Sequence, residues 1–242
     1  LINWPIISAI SFFPWKTTMA VYDLEEQEQL DELKTWWKQY GNLTTGLLLA
    51  VAIASAGWQG WSWYQRNQSA QASAVYSALQ QAAQQNNATR VKSLAGELID
   101  KYSGSAYAAM GVLVSARTQV ATGDTKTARA QLTWAVDNVD DDGLRDLARL
   151  RLAIILLDEK AVDEAAKQLA KDPTPAFAAR FGELRGDVLA AQGKTSEARV
   201  AYEAAIKHSE AQQKLVGADA APANSNYRDM LRAKAEQLGS AQ

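Results

Sequence analysis

Residues 39–65 carry no charged side chain, a run of twenty-seven positions bounded by Lys38 and Arg66. The apolar centre of that run, residues 43–63, is twenty-one residues long. As a helix rising about 1.5 Å per residue it covers roughly 31 Å, close to the roughly 30 Å hydrocarbon core of a bilayer. This predicts one transmembrane helix over residues 43–64. Beyond it the pattern changes to a helical period: residues 69–85 keep apolar side chains at Val75, Leu79 and Ala82 or Ala83, one face of a helix that continues the span outward. Too few glycines and prolines lie there for a flexible linker. A last amphipathic stretch covers residues 226–238. The chain is predicted to be all-α, with a single N-terminal transmembrane helix followed by a helical solenoid.

Aromatic residues bracket the apolar run. Trp36, Trp37 and Tyr40 precede it, and Trp58, Trp61, Trp63 and Tyr64 close it, so five of the eight tryptophans flank one segment. Indole rings prefer the headgroup level, where an apolar body and a polar N–H are both accommodated, and these residues are assigned to the membrane interface. Ala54-Ser55-Ala56 has the small-x-small form of a signal cleavage site. The long acidic stretch before the span, residues 23–34, does not resemble the short basic leader of a cleavable signal, and an uncleaved anchor fits better. With no cysteine there is no lipoprotein anchor and no disulfide framework. Lys34 and Lys38 before the span against Arg66 after it favour a cytoplasmic N-terminus by the positive-inside rule. Residues 1–18, broken by Pro5 and Pro14, read as an upstream extension, with Met19 as the expected start.

A net charge of -2 argues against a phosphate-binding surface and so against nucleic acid. Roughly 175 residues follow the span, enough for one soluble domain. They are rich in Ala, Gln, Leu, Lys, Arg and Glu, which favour helix.

Self-comparison of this part exposes a repeat. Gly186, Leu189, Gly193, Ala198, Tyr202 and Ala205 follow one another at offsets of 3, 4, 5, 4 and 3, and seventy residues earlier Ala116, Gly123, Ala128, Leu132 and Ala135 occupy matching places. Between them Ala153, Leu156, Ala165 and Leu169 keep the frame, with Lys160 where the turn glycine would be. Each unit reads as two antiparallel helices. Small residues at Gly186 and Ala198 allow close backbone approach, glycine ends the first helix in a left-handed cap, and Tyr202 fills the groove against the next unit. The pattern resembles the tetratricopeptide repeat, in three units with spacings of 37 and 33 residues between Ala128, Ala165 and Ala198. The family's tryptophan position holds Val112 or Gly182 and its closing proline Asp140 or Glu210, so the units are degenerate. Residues 72–102 read as a helix pair with little of the motif. Atypical end units are expected where a stack must cover its exposed face.

Sites of chemistry are few. The one histidine, His208, has no second histidine or cysteine to join, and is read as a solvated helix-end residue. Asn138, Asp140, Asp142 and Gly143 resemble the front of a calcium loop, but its twelfth position is Arg149, so the aspartates are read as capping a helix that starts near Gly143. Asp158, Glu159, Asp163 and Glu164 read as a solvated turn, no phosphate loop is visible, and neither a cofactor nor a metal is expected. The resemblance to tetratricopeptide repeats implies a ligand face on the inner side of each first helix. It places Met110, Leu113 and Arg117 there from one unit, Leu147, Leu150, Ile154 and Leu157 from the next, and Arg180, Glu183 and Asp187 from the last. An apolar middle flanked by charges suits a peptide or an unfolded segment; equally, these leucines can pack on the neighbouring helix or on the C-terminal helix.

The order of parts, with stretches such as Leu184-Arg-Gly-Asp-Val-Leu-Ala-Ala-Gln-Gly193, resembles the bacterial YfgM family across nearly the whole chain from Met19. That resemblance implies a non-catalytic inner-membrane adaptor or chaperone accessory. Residues 19–42 would be cytoplasmic, 43–64 membrane-spanning and the rest periplasmic: an extended helix and degenerate helix pair over 65–104, tetratricopeptide-like repeats over 105–210, and a linker with a C-terminal capping helix over 211–242. Its implied partners are the SecYEG translocon and a PpiD-like membrane-anchored chaperone, with a link to RcsB-type stress regulation. The alternative is a structural scaffold for another envelope machine, self-associating through Ala50, Ala54 and Gly57 in the span.

Overall fold

No proline occurs between Pro14 and Pro173, and the first long helix meets nothing that would break it. In the computed structural model, which describes residues 22–216 and 221–239, this helix, α1, is Tyr22–Gln84. It takes in the predicted span and the stretch after it. The expected start at Met19 and the extension before it lie outside the described residues. The chain divides into two units, residues 1–63 and 64–242.

Among the described residues of the first unit, α1 leaves its apolar side chains uncovered. Leu43, Leu47, Leu48, Leu49, Val51 and Ile53 are all exposed, as are Trp36, Trp37, Trp58, Trp61 and Trp63. Among the described residues this is the one helix long and apolar enough to cross a membrane.

The second unit begins with the end of α1 and continues through α2 (Ala88–Tyr102), α3 (Ala106–Ala121), α4 (Thr125–Asn138), α5 (Asp142–Asp158), α6 (Val162–Leu169), α7 (Ala178–Ala191), α8 (Thr195–Val216) and α9 (Ala221–Gly239). No strand occurs among the described residues. From α2 onward each helix packs on its successor, and α5 also touches α3 and α7, so these three helices share one side. The N-termini are specified locally: Asn87, Ser105, Asp124 and Asp141 each accept a hydrogen bond from the backbone N–H three residues on. Such a cap contributes about 1 kcal/mol. Asp141 thus caps α5, as the aspartate run predicted.

The repeat is written most clearly in its turns. Asn86, Gly123, Lys160 and Gly193 have φ of 55°, 84°, 62° and 76°, the left-handed region. At each, the residue's own N–H donates to the carbonyl three residues back, and the next N–H donates to the carbonyl five back, at 2.8–3.1 Å. The predicted glycine cap is therefore present at Gly123 and Gly193, and Lys160 adopts it without being glycine. Asn86 gives the same turn to the helix pair read over residues 72–102: thirty-seven residues before the next unit's frame stand Leu79, Val91, Ala95 and Leu98, all buried. Residues 72–102 thus share the turn geometry while keeping little of the motif's small residues.

Packing explains the small residues. Ala116, Ala128, Ala153, Ala165 and Ala198 are buried, and a Cβ on Gly186 would lie 2.4 Å from Tyr202 Cε1. Tyr202 lies against Gly186 of its own unit and belongs to a cluster with Leu231 and Ala235 of α9. Beneath α5 sits a buried ion pair. Arg149 Nη1 donates to Asp146 Oδ1 at 3.1 Å, with both side chains 7% exposed. Arg149 also donates to the carbonyls of Gln168 and Lys171, while Asp146 Oδ2 accepts from Thr174 N at 2.7 Å. The pair thereby holds the α6–α7 connection onto α5.

Candidate functional site

The ten residues assigned to the inner face fall into four environments. Leu113 and Leu150 are 5% and 6% exposed and belong to the main core, so their side chains present no surface. Leu147 and Leu157 are half-buried and pack against that core, and Met110 is half-buried on α3. On these positions the packing alternative describes the side chains. Arg117 and Ile154 are exposed, Ile154 by 46%.

Along α7, Glu183 and Asp187 are covered by the chain's own last helix, while Arg180 lies against it and stays exposed. Lys234 of α9 donates to Glu183 Oε1 at 3.1 Å and to both Asp187 oxygens at 2.8 and 3.0 Å. Asp187 Oδ1 also accepts from the Tyr202 hydroxyl at 2.7 Å. Tyr227 donates to Ala179 O at 3.2 Å while the Arg180 guanidinium stacks on its ring at 4.0 Å. Burial pushes both tyrosine hydroxyls upward in pKa, with Asp187 adding to the shift at Tyr202 and Glu183 at Tyr227. Lys234 is raised as well: burial alone would lower it, and its hydrogen bonds to Asp187 and Glu183 outweigh that. The acidic end of the inner face is therefore filled by a basic, aromatic helix.

What stays open is a cleft of about 210 Å³ between α3 and α5, lined by Ala116, Arg117, Val120, Leu132, Arg151, Ile154, Ile155 and Asp158. Val120 is 44% exposed. Arg151 Nη1 donates to Leu113 O at 2.7 Å across the helix pair. Its pKa is lowered, first by burial and then by the nearby Arg117 charge. The sequence reading found Arg117 and Ile154 and missed Val120 and Arg151. Helical spacing held the signal, since Val120 lies three residues after Arg117 and Arg151 three before Ile154.

A second cleft, of about 600 Å³, is lined by Pro173, Pro175, Ala176, Arg185, His208 and Gln212 among others. His208 is not at a helix end, as expected, because α8 runs on to Val216. It is exposed.

Comparison with known proteins adds the relatives. A family model described as a tetratricopeptide repeat-like domain matches residues 34–239. A protein of Neisseria gonorrhoeae named ancillary SecYEG translocon subunit is 31% identical over 220 residues, covering 89% of this chain and 98% of that protein. Proteins of the same name from Haemophilus influenzae and Escherichia coli are 30% and 28% identical, covering 76% and 78% of this chain and 90% of each relative. No solved structure matches.

Proposed function

This chain belongs to the tetratricopeptide repeat-like YfgM family, whose curated members are named ancillary SecYEG translocon subunits, and we propose that it is a non-catalytic accessory subunit of the translocon. The observation that carries this reading is the extent of the match, which takes in nearly all of the Neisseria protein. The α1 run anchors the chain in the inner membrane with its N-terminus cytoplasmic, in keeping with Lys34 and Lys38 before it, and its repeats in the periplasm. Trp36, Trp37, Trp58, Trp61 and Trp63 sit at the two membrane interfaces. The repeat domain meets periplasmic chaperones of the PpiD kind and emerging secretory chains through its inner face.

Tethering supplies the mechanism. A span beside the translocon confines the repeats to the exit, where a high effective concentration lets weak contacts suffice. Crosslinking in intact cells followed by mild-detergent purification tests this, comparing the full chain with one whose span is replaced by an unrelated helix. Recovery of translocon and chaperone subunits is expected. Recovery of the chain alone, or of other envelope machinery, would favour a self-associating scaffold instead. Protease protection in spheroplasts reads the orientation: cleavage of the repeats from outside is expected, and full protection would reverse the topology.

A further inference from the structure

Two guanidinium groups share the α3–α5 cleft without a carboxylate bonded to either. Arg151 spends one N–H on Leu113 O, which fixes its position, and Arg117 stands exposed close enough to depress it electrostatically. Neither forms an ion pair among the described residues, where eleven other basic side chains do: Arg129, for instance, reaches both Glu159 and Glu164. Asp158 lines the same cleft and is bonded to neither arginine. Beside these cations lie Val120 and Ile154, aliphatic side chains exposed by 44% and 46%. Exposed aliphatics next to unneutralised cations raise the energy of the free surface twice, through wetted apolar area and through like-charge repulsion. One ligand relieves both only if it carries an aliphatic group and an anion together.

We propose that this cleft binds an acidic polypeptide segment, seating one aliphatic side chain on Val120 and Ile154 and setting neighbouring Asp or Glu carboxylates against Arg117 and Arg151. The volume of about 210 Å³ suits a side chain and is short of what a bulky ligand needs. Two cations call for carboxylates on either side of the seated residue, which an acidic segment supplies and a neutral one does not. Selectivity comes from this local pair, since the chain as a whole carries a net charge of -2 and would repel an acidic peptide. The assignment rests on reading the repeat domain as a partner-binding surface and does not depend on translocon association.

The test uses the purified full chain in lipid nanodiscs and a labelled, end-capped peptide of alternating Glu and Leu, followed by fluorescence anisotropy, with a Lys-and-Leu peptide as the comparison. The acidic peptide is expected to bind and to weaken with salt, the basic one not to bind. Arg117→Glu should cost about tenfold or more in affinity for the acidic peptide and admit the basic one, and Ile154→Asp should cost a similar factor. Both side chains are exposed, so circular dichroism melting should match the parent. Absence of binding by the parent chain, or unchanged affinity in both variants, overturns the proposal. Because no translocon is present, failure here is distinct from failure to co-purify with it.

Discussion

Lys160 adopts the turn of Gly123, thirty-seven residues before it, with φ of 62° against 84° and the same pair of backbone hydrogen bonds closing the helix. An L side chain in that region costs on the order of 1 kcal/mol relative to glycine. Lys160→Gly is therefore expected to raise stability by roughly 0.5–1 kcal/mol, and Gly123→Ala to lower it by about 1 kcal/mol. Urea midpoints of the three proteins check this; a lower midpoint for Lys160→Gly would mean that the lysine makes a compensating contact.

Gly186 touches the Tyr202 ring closely enough that a Cβ would stand 2.4 Å from Cε1. Gly186→Ala should cost about 1–3 kcal/mol by overpacking. Gly96 in α2 has open space around it, so Gly96→Ala should be neutral or stabilise by up to about 1 kcal/mol. Thermal melts separate the two, and equal effects would refute the packing argument.

The contact between α9 and α7 should depend on alkaline pH. Tyr202 and Lys234 hold their protons more tightly folded than unfolded, so their contribution is complete below the ordinary values near pH 10 and is lost as pH rises through the folded ones. Tyrosinate absorbance should show Tyr202 and Tyr227 ionising after the exposed tyrosines, together with release of α9. A single titration of all tyrosines at the ordinary value would count against the docked helix.

Asp124 behaves in the opposite sense. Its carboxyl is lowered to about 2, first by the Thr127 hydroxyl and then by Lys92. Any contribution it makes to joining α2 and α4 is present above its ordinary value near pH 4 and disappears as pH falls toward 2. Asp124→Asn should flatten the acid limb of the unfolding curve in that window, and an unaltered limb would assign the effect elsewhere.

Removing one partner of the buried Arg149–Asp146 pair strands the other charge. Arg149→Met should destabilise by about 3–5 kcal/mol, whereas Arg149→Met with Asp146→Leu should recover much of the loss. Chemical denaturation of both variants measures the coupling; additive losses would show that the pair acts as two separate contacts.

Helix content, the apolar span and the thirty-five-residue order of the repeats were legible because each rests on local periodicity. The first unit was read as a helix pair with little of the motif for an equally local reason. Its small-residue places hold Leu79, Val91 and Leu98 and its turn holds Asn86, so identity failed where geometry persisted. The inner face was legible only in part. A frame says which helix a residue occupies, but Leu113 and Leu150 turn into the core while Ile154 on the same helix as Leu150 turns out.

By itself, then, the sequence determined the helical class, the repeat turns at Gly123 and Gly193 and which segment is too apolar for water, since turns and apolar runs act over a few residues. The tertiary structure alone decided which inner-face charges are spent. Glu183 and Asp187 meet Lys234, which lies 51 and 47 residues further along the chain, whereas Arg117 and Arg151 line one cleft with no carboxylate bonded to either. Such pairings depend on where distant helices pack, and no spacing along the chain encodes them.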